Sequence, residues 1–188
     1  MPGGDVIDFV GIIQARSDFF DCPVLGYYQV SRAVALSTLR NYPEAEELFR
    51  IAIEIDPNYF EAHYFYGRAF LAQGKYDESI GPLRSACKAR AEDYQAPALL
   101  GLAYTGMGRR EAASRAYAQA IKVAKQQLSV SPGDVRALYL GAGCLARIGR
   151  RKTALVWAAR ALDLDGKTPL FCTTSAACMQ SWAGQPMP

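Results

Sequence analysis

Residues 60–80 read FEAHYFYGRAFLAQGKYDESI. Apolar residues recur at three- and four-residue spacing on both sides of Gly74-Lys75, which predicts two helices of about 14 residues each, joined where glycine frees the backbone after the first. A step of 34 residues in either direction from this segment meets the same residue types. Ala33, Gly67 and Gly101 are each 34 apart, and so are Ala52, Ala86 and Ala120. The next members, Ala142 and Ala161, follow at 41 in both series. The chain is therefore an array of helix pairs with one insertion of seven residues after Ala120.

Units numbered from their first helical residue start at Gly26, Phe60, Tyr94 and Val135, with a fifth half-unit from Pro169 to Ala183. The eighth position is Ala33, Gly67, Gly101 and Ala142, and the eleventh is Leu36, Phe70, Tyr104 and Leu145. The twentieth is Ala45, Ser79, Ala113 and Ala154; the twenty-fourth is Phe49, Leu83, Tyr117 and Ala158; the twenty-seventh is alanine throughout. Pro57, Ala91, Pro132 and Gly166 close the units. This set resembles the tetratricopeptide repeat family, and the 34-residue lag separates it from pentatricopeptide arrays. The resemblance implies an all-α fold, an α-α solenoid (a tetratricopeptide superhelix) of about four repeats with N- and C-terminal capping helices. The expected divisions are a capping helix over 1–25, with Val6, Phe9, Val10, Ile13 and Phe20 on one face, and repeats over 26–59, 60–93, 94–134 and 135–168. A half repeat or cap follows over 169–188. The inserted residues, Ile121 to Gln127, are helix formers and should extend the second helix of the third repeat to about Leu128.

Packing arguments give the same architecture independently. Small residues at the eighth, twentieth and twenty-seventh positions let paired helices approach closely, and the bulky residues at the eleventh and twenty-fourth fill the space between them. A helix pair alone cannot bury its apolar face, so neighbouring pairs must stack. Pro43 and Pro97 fall in first turns, where proline is tolerated. Pro82 falls inside a second helix, which it should bend or delay.

Composition limits the function. The chain has 188 residues, 51% hydrophobic and 21% charged, enough for one ordinary domain or a short array. No stretch approaches the roughly 18 consecutive apolar residues of a membrane span. The first residues carry acids where a secretory signal carries Lys or Arg, so a cytoplasmic location is expected. Five cysteines, with no CxxC pair and a single histidine, His63, argue against a disulfide framework or a zinc site, and no metal is expected. Charge is uneven. Residues 1–93 carry nine basic and fourteen acidic residues, net −5, while residues 94–188 carry twelve and four, net +8.

No catalytic motif is present: no GxSxG, GxxxxGK[ST], GxGxxG after a strand or HExxH, and neither enzyme activity nor a cofactor is expected. His63 and Cys87, Cys144 and Cys178 fall at positions suited to packing. The family resemblance implies that the first helices line a concave, peptide-binding groove. It would present Tyr27, Val30 and Val34; Glu61, Tyr64, Phe65, Arg68 and Leu71; Gln95, Ala98 and Leu102; and Arg136, Tyr139, Leu140 and Arg147. Aromatic and arginine side chains dominate binding hot spots, which singles out Tyr27, Tyr64, Arg68, Leu102, Arg136, Tyr139 and Arg147. The family's clamp for C-terminal carboxylates is absent, because its positions hold Val30, Val34, Gln95 and Leu99. Lys75, then Arg109 and Arg110, then Arg150, Arg151 and Lys152 make the later turns a basic ridge.

The expected function is a non-enzymatic protein-interaction scaffold that holds a peptide or helix and pairs with a second copy of itself as a homodimer. Repeats two to four also resemble regions joined in bacteria to signalling or regulatory domains. The alternative is a nucleic-acid-binding scaffold that uses the basic half; no nucleic-acid shift is expected, and no membrane partner.

Overall fold

Between residues 23 and 165 each apolar stripe of the sequence becomes one helix of the structure, a computed structural model that describes those residues. In chain order these are α1 (Pro23–Thr38), α2 (Tyr42–Ile55), α3 (Phe60–Ala72), α4 (Tyr76–Ala89), α5 (Gln95–Gly106), α6 (Arg110–Val130), α7 (Val135–Arg147) and α8 (Arg151–Asp165). No strand occurs among the described residues, and the fold is an all-α helical repeat. The expected cap around Val6 to Phe20 and the half-unit from Pro169 lie outside them. The chain divides between Ala91 and Glu92 into two compact units. In the first, α1 packs on α2, α2 on α3, and α3 on α4. In the second, α5 packs on α6, α6 on α7, and α7 on α8.

One turn, used four times, reverses the chain inside each pair. The first helix ends in a residue of left-handed conformation: Arg40 (φ 63°), Gly74 (φ 74°), Gly108 (φ 71°) and Gly149 (φ 81°). The amide of the next residue then bonds back five residues, as in Lys75 N to Phe70 O at 3.0 Å and Arg150 N to Leu145 O at 2.9 Å. The left-handed residue bonds back three, as in Gly74 N to Leu71 O at 3.0 Å. This Schellman arrangement satisfies carbonyls that a helix end leaves open. Three units supply glycine, which has no β-carbon to clash there; the first supplies Arg40.

Close approach of paired helices rests on glycine in three pairs. A β-carbon on Gly67 would lie 2.6 Å from Leu83 Cγ, and one on Gly101 would lie 2.9 Å from Tyr117 Cζ. Leu83 and Tyr117 are buried by this approach, and full burial of such a side chain contributes roughly 1.5–3 kcal/mol. In the fourth pair the contact moves: Gly141, not Ala142, faces Trp157, not Ala158. The first unit's core joins Val30, Ala33, Leu48, Phe49, Ala52 and Ala62. The second unit has a cluster of Tyr94, Val123, Ala124 and Ala137, with Leu128, Leu140 and Trp157 against it.

Pro82 neither delays nor interrupts α4, which runs from Tyr76 to Ala89 through it. The ring removes the donor that would meet the Glu78 carbonyl, but Glu78 is exposed, and burial of Ser79, Leu83 and Ala86 against α3 holds the helix. Helix α6 has 21 residues against 14 in α4, so it is about 10 Å longer at 1.5 Å per residue. Its far end is fastened by Asp134. That carboxylate accepts from the Ala137 amide at 2.9 Å, the Tyr94 hydroxyl at 3.3 Å and Gln127 Nε2 at 3.2 Å, which ties α6, α7 and the entry to α5 together.

Candidate functional site

In the first unit, aromatic side chains gather around α1 and α3. Tyr27 on α1 is 58% exposed, and its ring meets Tyr59 edge-on at 4.9 Å between centroids. On α3, Phe60 stacks on Tyr64 at 5.5 Å, Tyr64 meets Phe65 edge-on at 5.1 Å, and the exposed Arg68 lies 5.7 Å over the Phe65 ring. Helical spacing explains the run, because residues 60, 64 and 68 fall one turn apart on one side of α3. Tyr64 and Phe65 are half-buried, so each keeps one side available while the other packs.

Arg90 fixes the start of this run. Its guanidinium sits 4.0 Å over the Phe60 ring and donates to Glu61 Oε1 at 2.8 Å. Burial, with Glu61 beside it, pushes the Tyr59 hydroxyl up to about 12. The hydroxyl therefore stays protonated and can donate a hydrogen bond to a ligand carbonyl or carboxylate. Tyr59, the buried Phe60 and Arg90 contact the residues of this surface although the repeat pattern does not mark them. Tyr28, the next residue on α1, is 55% exposed.

Two residues expected on the groove surface are buried instead: Val30 at 4% and Ala98 at 8% exposure. Val30 packs into the core with Ala33 and Phe49, and Val34 and Phe65 lean on the same cluster. In the second unit Arg136 and Arg147 are exposed, Tyr139 is 37% exposed and Leu102 is half-buried. Arg147 lies 5.8 Å over the Tyr117 ring, and Leu140 packs against the core of that unit.

Lys75 is held locally, 3.3 Å from Glu46 Oε1 and 5.6 Å over the Phe70 ring, and Gln73 donates to the same Glu46 oxygen at 3.0 Å. Arg109, Arg110, Arg150, Arg151 and Lys152 are all exposed. His63 is buried, and its Nε2 donates to the Pro57 carbonyl at 2.8 Å, which is a packing role. Burial pushes the Cys144 thiol up to about 12, so it is not a nucleophile at neutral pH. Among the described residues, no three of His, Cys, Asp and Glu come together as metal ligands, and no helix is long and apolar enough to cross a membrane.

A family model described as tetratricopeptide repeat matches residues 30–94 and 99–169. Small glutamine-rich tetratricopeptide repeat-containing protein 2 of Saccharomyces cerevisiae is 40% identical over 58 residues, which is 31% of this chain and 17% of that protein. The match thus spans a small part of that curated relative's length. Among solved structures, a thermophilic repeat protein of Thermus thermophilus is similar with a TM-score of 0.62 and 24% identity, covering 84% of this chain and 82% of its own. MamA from Desulfovibrio magneticus is similar with a TM-score of 0.54 and 24% identity, covering 77% of each chain. At these identities the structural likeness is one of fold.

Proposed function

Because the chain belongs to the tetratricopeptide repeat family, we propose that it is a scaffold for protein contacts whose first unit holds a peptide or helix against Tyr27, Tyr64 and Arg68. The aromatic run on α3, closed by Arg68, carries this reading. Stacked rings present large contact area at little conformational cost, and an arginine beside them can take a carboxylate in two hydrogen bonds. Leu102, Arg136, Tyr139 and Arg147 are the corresponding contacts proposed for the second unit. Self-association belongs to the same reading, supported by Leu155, Val156 and Leu162, which are 50–65% exposed on α8.

Peptides selected on the intact chain from a random displayed library test the groove. Binding should weaken roughly tenfold or more in Tyr64→Ala and Arg68→Glu, the size expected for hot-spot residues. Selected peptides indifferent to changes at Tyr27, Tyr64 and Arg68 would refute it. For self-association, a mass of one chain, 20.5 kDa, at every concentration and salt tested by light scattering removes the proposal.

A further inference from the structure

Two sequence features play no part in the aromatic surface, the seven-residue insertion and the later basic turns, and they meet within the second unit. The insertion supplies Ile121, Lys122 and Lys125 on α6; α7 and the turn after it supply Leu145, Ile148 and Arg150. These residues line a cavity of 430 Å³ between α6 and the end of α7. Its size falls within the range of roughly 300–1,000 Å³ over which pockets take ligands. Ile121 and Leu145 are buried and Ile148 is half-buried, whereas Lys122, Lys125 and Arg150 are exposed. Aliphatic carbon therefore forms the base and cations ring the opening.

Among the described residues nothing nearby balances that charge. No carboxylate of the described residues lines the cavity, and none of its three cations is ion-paired with a described residue. Lys122 and Lys125 stand three apart on one helix, where like charges repel. Helix α8, which starts after Arg150, has no acid in its first turn but holds Lys152 there, at the end where a helix disfavours cations. Local stability does not account for such a cluster; an anionic group brought from outside would relieve it.

We propose that this cavity docks an acidic amphipathic segment of a partner protein. Its aliphatic side chains would enter against Ile121, Leu145 and Ile148, and its carboxylates would pair with Lys122, Lys125 and Arg150. Charge complementarity selects the occupant, and the aliphatic base selects a polypeptide over nucleic acid, because the described lining residues offer no aromatic ring on which a base could stack. The surface shares no residue with Tyr27, Tyr64 and Arg68, so it is a second contact on the same scaffold.

A fluorescein-labelled synthetic peptide of alternating Asp-Asp and Leu-Leu pairs, titrated by anisotropy against the intact chain, tests this. Saturable binding is expected, weakened roughly tenfold or more in Lys122→Glu/Lys125→Glu and by added salt. Replacing the peptide's Asp by Asn should weaken it comparably, and Ile148→Asp should weaken it in the protein, whereas Tyr64→Ala/Arg68→Glu should leave it unchanged. Both lysines are exposed, so their variant tests the site even if Ile148→Asp does not fold. The proposal is overturned by no binding below about 1 mM, by equal binding to the double lysine variant, or by a single-stranded oligonucleotide that displaces the peptide at lower concentration than unlabelled peptide does.

Discussion

A β-carbon on Gly141 would stand 2.7 Å from Trp157 Cε3, so the indole of α8 occupies the space that the missing side chain of α7 leaves. In the second and third pairs the same contact is made one position later on both helices, by Gly67 with Leu83 and Gly101 with Tyr117. The fourth pair keeps the distance between its helices by moving glycine and bulky partner together.

This contact predicts opposing effects for Gly141→Ala. Alanine favours the helix by about 1 kcal/mol, but overpacking costs about 1–3 kcal/mol, so a net loss of about 1 kcal/mol is expected in urea unfolding. Because Trp157 is half-buried and can shift, the loss should be smaller than for Gly101→Ala, where Tyr117 is buried. A Gly141→Ala chain more stable than wild type would contradict the contact.

Arg40→Gly should stabilise the chain. Arg40 holds the left-handed conformation that glycine holds in the other three turns, at a cost of about 1–2 kcal/mol, while glycine's extra freedom when unfolded returns about 0.4–1 kcal/mol. A net gain of about 0.5–1 kcal/mol is the expected outcome of a denaturant titration. A loss of that size would show that the Arg40 side chain contributes more than its backbone strain removes.

Asp134→Ala should cost about 2 kcal/mol, near the upper end for a lost helix cap, because the Tyr94 hydroxyl and Gln127 amide lose their acceptor as well. Asp134→Asn keeps the cap and should recover at least half of the loss. Hydrogen exchange at Ala137 reads the cap directly, and its rate should rise in the alanine variant alone.

Stability should fall at alkaline pH. Burial raises the Cys144 thiol from 9 to about 12 and the Tyr59 hydroxyl from 10 to about 12, and raises Tyr66, Tyr94 and Tyr117 in the same direction. Between the unfolded and folded values the native chain holds protons that the unfolded chain releases, so this stabilisation is complete below about pH 9 and is lost as pH rises towards 12. The melting temperature should decline from about pH 9 upward, and Cys144→Ala should remove the earliest part of the decline. A melting temperature level to pH 11 would be inconsistent with these burials.

Much of the helical pairing is legible in the chain because it depends on residue types that recur at a lag of 34, lengthened to 41 across the insertion: glycines at Gly74, Gly108 and Gly149, and alanines at the twenty-seventh positions. What escapes the pattern is physical in each case. Arg40 conceals a left-handed turn because the backbone, not the side chain, sets it. Counting positions selects Ala142 and Ala158, while the helices pack through their neighbours Gly141 and Trp157. Val30 follows the surface register yet lies in the core, since register does not say what covers a residue. Arg90 over Phe60 joins residues 30 apart in sequence, a separation that belongs to no helical period.

The length of the insertion in α6 has a further consequence. Seven residues turn an α-helix through nearly two full revolutions, leaving a drift of only about 20°. The buried residues of α6 accordingly repeat across it, with Ala113, Ala116 and Tyr117 followed seven later by Ala120, Val123 and Ala124. A gain or loss of a whole heptad is thus nearly silent in azimuth: it lengthens the rod and hardly rotates its inner stripe. An insertion of five residues would turn that stripe well away from its neighbours, so helix length in this array is free to vary chiefly in steps that nearly close whole turns, such as seven or about eleven residues.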